Sequence, residues 1–172
     1  MGGELGRIVV AVDPPAGGAR SDACGIVAVG RAGDGTAVVL RDDTVAAPRP
    51  ERWARAAVDC WRAAEADVLL AEANQGGEMV RAVIAQVDPA IPVTLVRASR
   101  GKWLRAEPVA ALYAQGRVKH AGSFPALEDE MCDFGRDGLS SGHSPDRVDA
   151  LVWAVSHLML APPRGAPRLR GL

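Results

Sequence analysis

Cysteine, aromatic side chains and long apolar runs are all scarce in this chain. The three cysteines (Cys24, Cys60 and Cys132) are far apart and form no CxxC pair, so the sequence predicts neither a disulfide framework nor a zinc site. We expect all three to be reduced and buried. No apolar stretch reaches the roughly 18 residues that a membrane helix needs, so no membrane span is expected.

Two further absences concern charge and nucleotide binding. The formal net charge of −1 gives no global attraction to nucleic acid. A basic cluster of Arg97, Arg100, Lys102 and Arg105 could be a phosphate-facing patch or a solvated surface. The phosphate-loop pattern GxxxxGK(S/T) is missing.

Residues 1–7 lack the basic start and apolar core of a signal peptide, so we expect a cytoplasmic protein.

The composition is otherwise that of an ordinary globular protein, with 48% hydrophobic and 24% charged residues among 172. This length predicts a single domain over residues 1–161. The remaining segment, 162–172, is rich in proline and arginine, and we expect it to be a disordered tail.

Apolar periodicity predicts strands and helices in an order typical of an α/β fold with a mixed sheet. Three strands, at 7–13, 24–30 and 35–41, form an antiparallel meander with a tight turn at 32–35. Further strands are predicted at 67–72, 93–97 and around Val118, and helices at 51–66, 78–87, 104–115, 124–134 and 146–160.

Four acidic residues, Asp13, Glu72, Asp146 and Asp149, stand where carboxylates are costly to bury. Asp13 and Glu72 each end an apolar strand, at the carboxyl edge where open α/β sheets build their sites. Asp146 and Asp149 lie three residues apart on one face of the last helix. Buried carboxylates need a positive partner. Oxygen ligands of this kind suit magnesium or manganese, and hydrolysis of a phosphodiester by two metal ions requires three or four of them.

Three of the four acids also have an ordinary structural explanation. Asp13 precedes two prolines and could be a turn residue, and Glu72 could form a salt bridge with an arginine. Asp146 would be favoured in a first helical turn by the helix dipole alone. Asp149 lies among apolar neighbours, which makes a purely structural role harder to argue. As a set, the four predict metal-dependent chemistry.

The loop before the last helix carries three residues of interest. Ser144 is expected to cap this helix and Pro145 to take its first position. His143 is a candidate metal ligand or proton-transfer residue, and the alternative is an ordinary loop histidine.

Four segments of the chain together resemble the nuclease domain of the large terminase subunit of tailed phages and gene transfer agents. They are IVVAVDPPAGGARSDACGIVAVG, LLAEANQGGEMV, ASRGKWLRAEPVAALYAQGRVKHAG and SPDRVDALVWA, and they occur in the order of that family. The resemblance extends from about Arg7 to Leu160. It implies a ribonuclease-H-like mixed sheet flanked by helices, and metal-dependent cutting of double-stranded DNA during genome packaging.

The same resemblance implies roles for individual residues. Asp13, Glu72 and Asp149 match the catalytic acids that hold two Mg²⁺ or Mn²⁺ ions, and Asp146 matches an auxiliary acid. Lys102 falls in a loop where it would touch the scissile phosphate, unless it is a plain surface lysine. Arg100, next to it in the basic cluster, is a further candidate for DNA contact.

The chain departs from full-length large terminases because it has no ATPase phosphate loop. It is therefore expected to be a nuclease domain whose ATPase domain lies elsewhere in the full protein. The implied partners are double-stranded DNA, that ATPase domain, the small terminase and the portal, in the cytoplasm of a bacterial host.

Three alternatives remain open. A Holliday-junction resolvase or a transposase-like nuclease would use the same acids on a different DNA geometry. A phosphotransferase of the actin and sugar-kinase type also ends its first strand in aspartate, but Pro14 and Pro15 lack the backbone amides that cradle phosphate. A DNA-docking module with vestigial acids would bind DNA through phosphate neutralisation, which the near-neutral charge disfavours.

Overall fold

The computed structural model describes residues 4–15, 23–46, 49–73 and 77–161. These residues form a six-stranded sheet and five helices. The strands are β1 (Leu5–Asp13), β2 (Gly25–Ala32), β3 (Ala37–Asp42), β4 (Val68–Glu72), β5 (Val93–Val96) and β6 (Val118–His120). The helices are α1 (Pro50–Ala63), α2 (Gly77–Val87), α3 (Lys102–Ala114), α4 (Pro125–Asp133) and α5 (Asp146–Met159).

The sheet is mixed, as the sequence predicted, with strand order β5-β4-β1-β2-β3-β6. β1, β2 and β3 form the expected antiparallel meander, whereas β4 and β6 pair in parallel with β1 and β3. β5 extends the parallel part beyond β4. The carboxyl ends of β1, β4 and β5 therefore lie at the same edge of the sheet.

Helices cover both faces of the sheet. α3, α4 and α5 cover one face, where Val9 and Ala11 of β1 join their apolar cluster. α1 and α2 cover the other, where the alternate residues Val10 and Val12 point. Because side chains alternate along a strand, a central strand buried on both faces must be apolar at almost every position. This explains the unbroken run at the start of the chain.

Some expectations about burial were wrong. Cys24 and Cys60 are buried, but Cys132 is exposed, because the short helix α4 buries only its Leu127. Leu104 and Met79 fit the apolar periodicity that predicted their helices, yet they are 52% and 59% exposed. Both lie in the first turns of their helices, and α3 packs instead through residues further along it.

Two further expectations concern a membrane span and the C-terminal tail. No helix of the residues that the structure describes is long and apolar enough to cross a membrane. The tail at 162–172 lies outside the described residues, so the division into one domain and a tail stays a prediction.

Candidate active site

Asp13 and Glu72 end adjacent parallel strands and point to the same face of the sheet. Val12 of β1 is in register with Ala71 of β4, so the next residue on each strand is the acid. Asp13 has the same parity as Ala11, which faces α5. Asp13 is 8% exposed as a whole residue, and the side chain of Glu72 is 8% exposed. The two carboxylates thus lie side by side beneath the α5 layer.

The first turn of α5 brings two more carboxylates to this edge. Asp146 is 7% and Asp149 2% exposed. The close approach depends on Gly25, which pairs with Asp13 across β1 and β2. A Cβ at Gly25 would overlap the carbonyl oxygen of Asp146 and lie 3.2 Å from Ala150 Cβ. Any larger residue at this position would therefore push the first turn of α5 away from the sheet.

Two cations from the first turn of α3 face these acids. Lys102 forms an ion pair with Asp149, and its Nζ donates a hydrogen bond to Ser144 Oγ at 2.9 Å. Arg105 Nη2 lies 3.8 Å from both Glu72 Oε1 and Asp149 Oδ1. Ser144 was expected to cap α5, but the N-cap position is taken by Pro145, and the Ser144 hydroxyl instead accepts from Lys102.

Arg105 is a site residue that the sequence did not single out. The sequence placed it only in a basic cluster that could face a phosphate or be a solvated surface, whereas its side chain is only 11% exposed. Its guanidinium stacks 4.7 Å from the centre of the Trp153 ring, and the indole of Trp153 donates to Glu72 Oε2 at 3.0 Å. The one available signal was its spacing, three residues after Lys102, which places both on one helix face.

Among the described residues of the site, four carboxylates face two cations, and this imbalance affects their pKa values. Burial raises the pKa of Asp13 well above its ordinary value, and the charge of Asp149 raises it further, against the opposing effect of Lys102. Glu72 and Asp146 also raise it, so all four acids share one field. Burial raises the pKa of Asp149 too, although Lys102 and Arg105 oppose the shift.

The same negative charges favour the ionised form of Lys102. Burial alone would lower the pKa of Lys102, but the negative charges of Asp149, Asp13 and Asp146 outweigh it and leave that pKa raised. Lys102 is therefore held as a cation among the carboxylates.

A second charged network holds the first turn of α5 on its far side. Arg147 Nε donates to Asp42 at 3.0 Å, and its Nη1 lies 3.6 Å from Glu130 Oε2. Glu130 Oε1 accepts from the backbone N–H of Val148 at 2.9 Å, which satisfies a free amide at the helix start. Burial raises the pKa of Glu130. Sequence reasoning missed this network, since its members come from β3, α4 and α5.

The donor set fits a hard divalent cation, since it consists of carboxylate oxygens gathered in a buried place with excess negative charge. The residues that would hold such an ion are Asp13, Glu72 and Asp149, with Asp146 beside them. As the described residues stand, no three His, Cys, Asp or Glu side chains are arranged to hold a metal ion. Lys102 and Arg105 engage the Glu72 and Asp149 oxygens instead.

The remaining candidates lie outside this cluster. Arg100 is exposed in the loop between β5 and α3, and His143 is exposed in the loop before α5. The backbone N–H of His143 donates to Ser141 Oγ at 3.3 Å. Their roles stay predictions. Residues 16–22 and 74–76, which follow Asp13 and Glu72 closely, lie outside the described part of the chain.

A family model described as "Terminase RNaseH-like domain" matches residues 10–158, most of the chain. The protein belongs to this family. The ribonuclease-H-like fold and the resemblance to the nuclease domain of large terminases are therefore confirmed. No match was found among curated proteins.

Solved structures of terminase nucleases share this fold. The large terminase nuclease of the thermophilic phage G20c is 13% identical with a TM-score of 0.66, over 87% of this chain and 81% of that one. The large terminase of bacteriophage HK97 is 15% identical with a TM-score of 0.64, over 91% of this chain but 40% of its own. The yeast mitochondrial Holliday junction resolvase Ydc2 is 9% identical with a TM-score of 0.56, over 92% and 80%.

Proposed function

We propose that this terminase-family domain is a metal-dependent endonuclease that cuts double-stranded DNA during genome packaging. The observation that carries the proposal is the convergence of four carboxylates from β1, β4 and α5 at one edge of the sheet, three of them buried and Glu72 nearly so. Such a cluster destabilises the fold unless cations compensate it. In a nuclease site, these carboxylates would bind the metal ions that catalysis requires, and the bound ions would offset the cost of burying them.

In the proposed site, Asp13, Glu72 and Asp149 are the ligands of two divalent ions, Mg²⁺ or Mn²⁺, and Asp146 is an auxiliary ligand. Once bound, the ions would supply an activated water and stabilise the leaving oxygen of the phosphodiester. The G20c nuclease has been solved with bound magnesium and also with bound zinc, which supports a divalent ion here.

The protein's own residues set the geometry for this chemistry. Trp153 orients Glu72 by a hydrogen bond to one carboxylate oxygen, while Arg105 lies near the other. Gly25 lets the first turn of α5 lie directly on β2, so that Asp146 and Asp149 reach the strand ends. Since these supports are buried, they restrict the carboxylates to few orientations before DNA arrives.

The exposed basic residues beside the site are the proposed DNA contacts. The partly exposed Lys102 begins α3 and pairs with Asp149, Arg100 lies in the exposed loop just before it, and His143 lies on the loop before α5. The near-neutral net charge makes strong DNA binding by the domain alone unfavourable. We therefore propose that an ATPase domain of the full protein delivers the DNA, with the small terminase and portal as further partners in the host cytoplasm.

A plasmid-cutting assay tests the proposal. Supercoiled plasmid should be nicked or linearised with Mn²⁺ or Mg²⁺ and stay intact with EDTA. Asp13→Asn, Glu72→Gln and Asp149→Asn should each lower cutting at least about a hundredfold, because each removes an anionic ligand. Asp59→Asn, at an exposed position of α1, is the matched control and should cut normally. Unreduced cutting by a folded Asp13→Asn protein would refute the site.

Two further measurements separate the alternatives. The fold likeness to a Holliday junction resolvase makes a junction-cutting enzyme the second candidate. Faster cutting of a four-way junction than of linear duplex would favour it. Tight ATP binding in calorimetry, with no cutting of DNA, would instead favour a phosphotransferase, and DNA binding without any cutting would favour a docking module.

A further inference from the structure

The side chain of Arg147 connects the first turn of α5 to two other elements. Its Nε donates to Asp42 Oδ2 at 3.0 Å, and its Nη1 lies 3.6 Å from Glu130 Oε2. Asp42 ends β3 and Glu130 lies in α4, and their side chains are only 8% and 10% exposed. Asp42 is fixed in turn, because its Oδ1 accepts from the backbone N–H of Thr44 at 3.2 Å. The guanidinium is therefore anchored to the sheet on one side and to α4 on the other.

Glu130 also binds the backbone at the start of α5. Pro145 takes the N-cap position of this helix and has no side-chain oxygen that could accept from an amide of the first turn. Glu130 Oε1 accepts from the backbone N–H of Val148 at 2.9 Å, while its Oε2 faces Arg147. One carboxylate of α4 thus holds both the backbone and a side chain of this turn.

The position of Arg147 relative to the acids determines what this anchor controls. At about 3.6 residues per turn, Arg147 lies about 100° around the helix from Asp146 and about 160° from Asp149. An anchor on that side fixes the rotation of the first turn about the axis of α5, and hence the direction of both acids. The contact with Gly25 leaves little tolerance, because a Cβ there would overlap the carbonyl oxygen of Asp146. A small rotation would therefore move the carboxylates relative to the ends of β1 and β4.

Resting on the proposed nuclease function, we propose that Arg147 is a positioning residue of the metal site. Held by Asp42 and Glu130, it fixes the first turn of α5 in the rotation that lets Asp146 and Asp149 bind a divalent ion. This role predicts an effect whose sign differs from that of simple electrostatics. Removing a positive charge near a group of carboxylates should tighten the binding of a divalent cation by Coulomb attraction. Loss of positioning should weaken that binding instead.

Mn²⁺ binding by Arg147→Met, compared with a matched variant at the other end of α5, tests the proposal. Arg31 Nη1 donates to the backbone oxygen of Leu158 at 3.2 Å, so Arg31→Met also removes a tether of this helix, but at its C-terminal end. Calorimetry of the DNA-free domain should show at least about tenfold weaker Mn²⁺ binding for Arg147→Met and less than about a twofold change for Arg31→Met. Both variants should lower the midpoint of thermal unfolding in EDTA.

Two substitutions of Glu130 separate its backbone contact from its charge. Glu130→Gln and Glu130→Met both remove the negative charge, but only glutamine keeps an oxygen that can accept from the Val148 amide. Glu130→Gln should therefore bind Mn²⁺ within about threefold of the wild type, and Glu130→Met at least about tenfold more weakly. This pair also carries the test if circular dichroism shows that Arg147→Met does not fold.

The outcomes for this proposal differ from those for the nuclease assignment. Unchanged or tighter Mn²⁺ binding by a folded Arg147→Met, or equal weakening by Arg31→Met, would overturn the positioning role. Equal affinities of Glu130→Gln and Glu130→Met for Mn²⁺ would overturn it as well. In each of these cases, a wild type that cuts plasmid with Mn²⁺ would leave the nuclease function intact. A wild type that neither binds Mn²⁺ nor cuts plasmid would overturn both.

Discussion

The two helical layers of this domain differ in what they bury. The α1–α2 layer covers its face of the sheet with an apolar cluster that includes Trp53, Val58 and Ile84. The α3–α4–α5 layer has an apolar cluster of its own, but at the start of α5 it also buries Asp146 and Asp149 against Asp13. One layer stabilises the sheet through apolar burial alone, and the other combines that role with a costly group of charges.

This difference indicates where the domain buries groups that oppose folding. Burying ionised carboxylates together opposes folding, and the pKa of Asp13 agrees with this, since burial and then the charge of Asp149 raise it. The apolar residues under α5 must compensate for it locally. Perturbing the two layers separately should therefore produce different combinations of stability and metal binding.

The largest effect is expected from matched truncations in the two layers. Ile84→Ala in α2 and Leu151→Ala in α5 each remove a side chain that is 0% and 1% exposed, respectively. Each should lower the free energy of unfolding by about 2–5 kcal/mol, as measured by urea denaturation. Only Leu151→Ala should also weaken Mn²⁺ binding in calorimetry, because α5 carries two of the carboxylates. Equal weakening by Ile84→Ala would show that the layers are not independent.

A smaller effect, of opposite sign, is expected from neutralising Asp13. A raised pKa in the folded state means that this group favours folding below its ordinary pKa of 3.8, and that this contribution is lost as pH rises through the folded pKa. At pH 7.5 in EDTA, Asp13→Asn should therefore raise the free energy of unfolding by about 1–3 kcal/mol. Thermal unfolding with and without Mn²⁺ measures it, and the wild type should gain more from the ion. A destabilised Asp13→Asn protein in EDTA would contradict this account.

The smallest effect concerns Glu130, on the far side of α5. Its pKa is raised by burial, so its contribution to stability grows as pH falls through the folded pKa toward the ordinary value of 4.5. Glu130→Gln keeps an acceptor for the Val148 amide but does not titrate. The wild type should therefore gain less than about 1 kcal/mol relative to this variant between pH 7 and pH 4.5. If the wild type instead lost stability relative to Glu130→Gln as the pH fell, the assigned sign would be wrong.

Much of the fold followed from local patterns in the sequence. The buried run of β1, the meander with β2 and β3, and the helices α1 and α5 were predicted close to their observed positions. Asp13 and Glu72 were placed at strand ends, and the parallel pairing of β1 with β4 brings them to one edge. These features depend on apolar periodicity and chain order, which a single sequence contains.

The partners of the carboxylates could not be predicted in the same way. Arg105 was placed only in a basic cluster of undecided role, and Glu130 and Asp42 were not singled out. Each acts through a residue far away in the chain, as Arg105 does with Glu72 and Asp42 with Arg147. A charged residue in an amphipathic helix has the same local pattern whether it faces water or a buried acid, so only the packing of α3 and α4 against α5 distinguishes the two.

The sequence by itself determined the family, the α/β order of elements and the four acids, because these reside in residue types and their spacing along the chain. The tertiary structure alone decided that Lys102 and Arg105 face those acids, that Gly25 admits the first turn of α5, and that Ser144 binds a lysine rather than capping a helix. The physical reason is distance. Electrostatic and steric interactions act between atoms a few ångströms apart, and folding sets those separations between residues that the chain keeps far apart.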